Sequence, residues 1–235
     1  MRPEAPGIIV TCEHSGNLVP EAFAALFSGR EELLASHRGY DPGALELAAC
    51  LAVGLKARLF SSSVTRLLID LNRSPRNPAR FSEITAQLSR TEKEEIEAAH
   101  YLPYREQVES AIASSLLKGD CLLHLSIHSF TPVLHGQERR ADMGLLYDPA
   151  RKAEAEFCIS WQDTLSRLRP DLLIRRNYPY RGNADGFTSY LRKIFPDDAY
   201  IGIELEVNQK FPLKDAAAWQ ELKELILKSL VMIFR

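Results

Sequence analysis

The chain has 235 residues, 46% of them hydrophobic and 26% charged, with a formal net charge of −2. That length can bury one large α/β core, and the charge balance lacks the excess of Lys and Arg that a nucleic-acid or anionic-membrane partner requires. No apolar run approaches the roughly 18 residues needed to cross a membrane, and Met1–Gly7 shows no charged-then-apolar leader. Cys12, Cys50, Cys121 and Cys158 form no CxxC pair, so reduced thiols in a cytosol are expected.

In chain order, Ile8-Ile9-Val10-Thr11-Cys12 reads as a buried strand between Gly7 and Gly16 that stops abruptly on Glu13-His14-Ser15. A short helical stretch is expected at 21–27, with Gly29 placed to end it. The loop His37–Gly43 leads to a helix over 44–57, where Asp41-Pro42 fits an N-cap with proline at the first helical position. Strands are expected at 58–60 and 64–71, followed by an irregular stretch from Asn72 to Leu88 carrying Arg73, Arg76 and Arg80. Such a long connection is more often functional than idle.

Thr91 with Glu94 makes a capping box that opens a helical region running towards Gly119, interrupted at Pro103. Strands follow at 121–128 and 143–147, a helix at 150–168, a strand at 172–174 and a turn-rich loop at 177–186. A helix at 187–195, a strand at 200–207 and an amphipathic helix at 216–234 complete the chain. Strands alternating with helices imply an α/β fold in one domain over residues 1–235, with a mixed, mostly parallel central sheet flanked by helices. Open sheets of this kind bind ligands beyond the carboxyl ends of their strands, where His14, Asn72, Arg73, His128, Glu204 and Glu206 are expected.

In Leu123–His128 apolar and polar residues alternate, so His124, Ser126 and His128 share a face and His128 is last. His128 is thus either a ligand or a hydrogen-bonded loop histidine, and His124 a core residue or a support for the site. His37, His100 and His135 read as surface or packing residues. Catalytic zinc commonly takes two histidines and a carboxylate with one position left for water. Here the carboxylate is Asp41, which competes with its helix-cap reading. Glu13 is disfavoured because strand neighbours point to opposite faces unless the strand has ended. Glu204 and Glu206 share a face, and such a buried pair needs a metal, an arginine or a shared proton. Arg73 beside Asn72 offers a planar fork for a carboxylate. Arg66 either aims charge at an oxyanion or pairs with Asp70.

Glu13-His14-Ser15-Gly16-Asn17, Thr65–Ser74, Ser126-Ile127-His128 and Leu205–Gln209 resemble the N-formylglutamate amidohydrolase family, with Asp70-Leu71-Asn72-Arg73 the strongest motif. More distantly, the order of His, Arg, Asn-Arg, His and Glu is similar to the zinc carboxypeptidase and aspartoacylase superfamily. The resemblance implies a phosphorylase/hydrolase-like fold and Zn2+ held by His14 and His128. It further implies Arg66 polarising the scissile carbonyl, Asn72 and Arg73 gripping a substrate carboxylate, and Glu206 as general base. Glu206 is preferred to Glu204 because the family's Leu-Glu-x-x-Gln pattern falls on Leu205–Gln209. Two departures stand out. The superfamily's His-x-x-Glu metal motif meets Asn17 here, and Glu13 stands where the family more often has proline. The expected substrate is a small anionic N-acyl amino acid. The rivals are a carboxypeptidase-like hydrolase of a peptide or cell-wall fragment, and a decayed, non-catalytic module that binds carboxylates.

Overall fold

The computed structural model describes residues 7–118 and 121–234. Residues 1–6, on which the expectation about a leader falls, and Gly119, the expected end of a helix, lie outside the described residues. Six strands form one sheet: β1 (Gly7–Cys12), β2 (Arg58–Ser61), β3 (Leu122–Phe130), β6 (Met143–Leu146), β7 (Ile174–Arg176) and β8 (Tyr200–Asn208), in the order β2-β1-β3-β8-β6-β7. All neighbours are parallel except β6 and β8, so the sheet is mixed and mostly parallel as expected. A hairpin of two two-residue strands, β4 (Val133–Leu134) and β5 (Gln137–Glu138), interrupts the loop after β3, and two five-residue helices, α1 (Glu31–Ala35) and α7 (Lys210–Lys214), lie outside the sheet.

The alternation along β3 and β8 sorts the two faces. Leu123, Leu125, Ile127, Ile203, Leu205 and Val207 pack against α2 (Ala44–Leu55), α5 (Lys152–Leu168) and α8 (Ala216–Ile233) in one core. A second core joins Ile9, Phe60, Leu67–Ile69 and Leu71 to α3 (Arg90–Ile96), α4 (Leu102–Leu116) and α6 (Phe187–Leu191). His124, Ser126, His128, Glu204 and Glu206 all belong to the face opposite the first core, and all are buried. No described helix is long and apolar enough to cross a membrane.

Three local expectations are corrected. The apolar run 64–71 is not a strand but a series of turns. Its backbone is satisfied from the side: the hydroxyls of Ser82 and Thr85 donate to the Leu67 carbonyl, Thr85 also to that of Leu68, and Arg105 to that of Leu71. Burial without a ladder partner is possible because each polar group still finds a donor. The helix α3 is capped two residues earlier than expected, by a reciprocal Ser89 and Glu92 capping box. Before Pro103 the helix loosens into a π-type turn at Glu97–Tyr101 and resumes as α4.

One buried ion pair ties the site-bearing elements together. Arg192 donates through Nε to Glu154 at 2.9 Å, and the backbone N–H groups of Asp148 and Gly202 donate to the same carboxylate at 2.8 and 3.2 Å. Arg192 also reaches the carbonyls of Gly182 and Gly202, linking α5, β8 and the 177–186 loop. Truncating one partner leaves the other charge buried and unpaired. Glu154→Ala is therefore expected to cost about 3–5 kcal/mol of stability in denaturant unfolding. A loss below about 1 kcal/mol would mean the network is held by the rest of the fold.

Candidate metal centre and active site

Because β1, β3 and β8 run parallel, their carboxyl ends meet at one edge of the sheet. His14 follows β1 in the loop just beyond Cys12, and His128 is near the end of β3. The two imidazoles stand 5.0 Å apart between ring centroids. Asp41 reaches them from the loop before α2, its Oδ2 lying 2.9 Å from Nδ1 of His128 and 3.4 Å from Nδ1 of His14. One donor atom from each of the three residues lies within 4.8 Å of the others, and all three residues are buried.

The helix-cap reading of Asp41 is overturned. Helix α2 starts after Gly43, which occupies the left-handed region at φ +80° and supplies no side-chain cap. The Asp41 carbonyl, not its carboxylate, receives the Ala44 N–H. Its carboxylate is left for the two histidines, the Ser129 N–H and Arg66. Asn17 turns away from the site and donates to the Leu34 carbonyl at 3.0 Å.

Each histidine carries a second carboxylate on its far nitrogen. Asp70 Oδ1 is 2.7 Å from His14 Nε2. Glu13 Oε2 is 3.3 Å from His128 Nε2 and accepts the Ser126 hydroxyl at 2.8 Å, while Tyr104 donates to Oε1 at 3.0 Å. Carboxylates in such positions fix the tautomer and orientation of a ligating imidazole and raise its basicity. Glu13 reaches this position because β1 has already ended at Cys12, so the alternation of strand neighbours no longer applies to it. In the Asp70-Leu71-Asn72-Arg73 motif the sequence marks the aspartate but leaves its partner, His14, unspecified.

The charges are mutually dependent. Burial opposes ionisation of Glu13, but the hydrogen bond and charge of His128 outweigh it and hold the carboxyl down at about 2. Asp41 is likewise held far below the usual carboxylate range: burial resists, and both histidines prevail. Burial and Arg66 push His14 down, yet Asp70 and Asp41 leave it above its ordinary value. His128 is raised more strongly, with Asp41 and Glu13 overcoming burial. Both imidazoles thus hold a proton more tightly than an ordinary histidine, and a cation held by them would compete with that proton.

Arg66 lies on the wall of this pocket, its Nη2 donating to Asp70 Oδ2 at 2.7 Å and its Nη1 to Asp41 Oδ1 at 3.4 Å. Asn72 accepts the Phe187 N–H on Oδ1 at 2.7 Å, which fixes the amide so that its N–H2 end faces His128 at 3.4 Å. Arg73 is partly exposed and donates to the Asp185 carbonyl. Glu204 is engaged by the Thr188 hydroxyl. Glu206 differs: its Oε2 is buried with no hydrogen-bond partner, and burial, Asp41 and Glu204 together outweigh His128 and Arg66 to push the carboxyl up to about 7. His124 is held between Thr11 and Tyr200, behind the site. A cavity of about 430 Å³ opens over these groups, and Arg181, Tyr180 and His37 also line it.

A donor set of two imidazoles and a carboxylate suits a divalent cation such as zinc, and the supporting carboxylates and the unpartnered Glu206 oxygen are what such a centre needs around it. His14, Asp41 and His128 therefore fit a metal ion.

Several solved structures share this fold, two of them as follows. A gene product of Agrobacterium tumefaciens aligns with TM-score 0.81 and 27% identity over 99% of this chain and 93% of its own. The N-formylglutamate amidohydrolase of Ralstonia eutropha JMP134 aligns with TM-score 0.71 and 18% identity over 97% of this chain and 93% of its own. No curated protein matches the sequence. Residues 7–211 match the family described as N-formylglutamate amidohydrolase. With the match extending from β1 past the end of β8, the chain belongs to the N-formylglutamate amidohydrolase family, a family of hydrolases.

Proposed function

We propose that this protein is a zinc-dependent amidohydrolase that cleaves the amide of a small N-acylated acidic amino acid, N-formylglutamate being the substrate its family points to. The observation that carries this reading is the meeting of His14, Asp41 and His128 within 4.8 Å, beside a buried carboxyl oxygen of Glu206 that has no partner. With Asp41 supplying the carboxylate, the donor set does not need position 17, which weakens the reading as a decayed binding module. The four cysteines are free thiols, which supports a reducing, cytoplasmic setting.

His14, Asp41 and His128 would hold the ion, whose contribution when bound is Lewis-acid activation of water and of the acyl carbonyl. Glu206 takes the proton of the attacking water and hands it to the leaving nitrogen, so that the acyl C–N bond breaks as a C–O bond forms and the products are an acid and a free amine. Arg66, cationic between Asp41 and Asp70, faces the charge that develops on the acyl oxygen. Asn72 and Arg73 bind a carboxylate of the amino-acid half. Asp70 and Glu13 hold the two imidazoles in place.

The test is hydrolysis of N-formyl, N-acetyl and N-succinyl derivatives of aspartate and glutamate, before and after dialysis against a chelator. Activity on at least one of them, lost on dialysis and restored by zinc, is expected. Full activity in protein shown to be metal-free would remove zinc from the proposal. Inactivity on every substrate in the presence of stoichiometric zinc would remove the amidohydrolase reading itself.

A further inference from the structure

Arg105, on α4, is only 3% exposed, yet no carboxylate among the described residues lies within ion-pair distance of it. A buried cation without a counter-ion is costly unless other groups replace its hydration. Here they are aromatic rings and carbonyls. The guanidinium carbon lies 4.1 Å from the Phe187 ring centroid and 4.3 Å from that of Tyr190, both on α6, and 5.0 Å from that of Tyr101. Stacking over aromatic faces compensates a desolvated arginine.

Its hydrogen bonds give the arrangement a direction. Nη1 donates to the Leu71 carbonyl at 3.0 Å and to the Arg73 carbonyl at 3.2 Å, the carbonyls of the residues on either side of Asn72. The Tyr101 hydroxyl donates to the same Arg73 carbonyl at 2.7 Å. On the other side, the α6 that Arg105 stacks against begins at Phe187, whose N–H orients the Asn72 amide. Arg105 therefore grips the Asn72–Arg73 segment twice, through its backbone and through the helix that aims its side chain. The segment has no sheet ladder to hold it.

We propose that Arg105 is a positioning residue for substrate binding, fixing the Asn72–Arg73 pair at the angle required to receive the substrate carboxylate. This rests on the proposed function above. It goes beyond that reading by placing a determinant of affinity in a helix that supplies no metal ligand.

Arg105→Lys keeps the charge but cannot reach both carbonyls while stacking on both rings. KM for the best N-acyl amino acid is expected to rise roughly tenfold, the scale of one charge-assisted hydrogen bond. The zinc content should stay unchanged and kcat should remain within about twofold. Arg105→Met provides a second variant in case one fails to fold. The decisive readout is coupling. In an Asn72→Ala/Arg73→Met background, Arg105→Lys should add little further to KM, because the groups it positions are already gone. An unchanged KM in Arg105→Lys, or an equal rise in KM with and without the Asn72 and Arg73 side chains, would overturn the proposal and leave Arg105 a packing residue. If wild-type protein hydrolyses no N-acyl amino acid, the functional reading falls and takes this inference with it. If wild-type protein is active and only the variants behave as wild type, this inference alone falls.

Discussion

Glu206→Gln is expected to lower kcat by about 10²–10⁴-fold while zinc content and substrate affinity stay near those of the wild type. The side chain sits on β8 opposite His128 in register and beside Gly144 of β6. Gly144 keeps the backbone close, since a Cβ there would meet the Tyr178 carbonyl oxygen at 1.8 Å. Glutamine preserves the shape but cannot carry a proton between water and the leaving nitrogen. Glu204→Gln is the control, and its loss should be smaller because that carboxylate is already engaged by Thr188. A second signature appears in the metal-free protein. Burial first, then Asp41 and Glu204, lift Glu206 from 4.5 to about 7. Between those values the folded state binds a proton that the unfolded state has released, so this group makes stability fall as pH rises. Metal-free Glu206→Gln should accordingly be more stable than metal-free wild type at pH 8, by about 3 kcal/mol, with the difference gone near pH 4. Turnover within a few-fold of wild type would rule Glu206 out as the base. A stability difference that does not change with pH would show that the raised carboxyl is not the one carrying the proton.

The sheet was legible because its signals are local. Two-residue alternation places His128 with His124 and Ser126 on one face of its strand and Glu206 with Glu204 on one face of another, and the abrupt end of β1 marks His14. Legibility failed wherever distant side chains decide the outcome. The run at Leu67–Leu71 has the composition of a strand, but periodicity reports burial, not pairing. The donors that replace its ladder, Ser82, Thr85 and Arg105, cannot be connected to it from sequence. Glu13 was disfavoured by a strand rule that expires one residue earlier, at Cys12. Asp70 was visible as a charge in an apolar segment, a signal that it must be paired, though not as the partner of His14. Asp41 was ambiguous for a different reason: Asp-Pro before a helix satisfies the rules of capping whether or not the carboxylate is used for it.

That ambiguity makes Asp41→Asn the sharpest test of the centre. Asparagine caps helices about as well as aspartate, so a residue whose role was to start α2 would lose nothing. A metal ligand would lose the charge that makes it one. In this structure Asp41 Oδ2 faces Nδ1 of both histidines, while Oδ1 takes the weaker contact from Arg66. The Pro42-Gly43 step that delivers it is confined, since Gly43 has positive φ and a Cβ there would approach Pro212 Cβ at 2.5 Å. The backbone therefore holds the side chain at the histidines whatever its charge. Zinc affinity is expected to fall by more than the roughly 10–100-fold that loss of a supporting residue costs, with activity lost in proportion at limiting zinc. The measurement is zinc content after dialysis against a buffered free-zinc series, together with activity at each point. An Asp41→Asn protein that binds zinc and turns over like wild type would return Asp41 to the role of a loop residue and leave the two histidines without a third ligand.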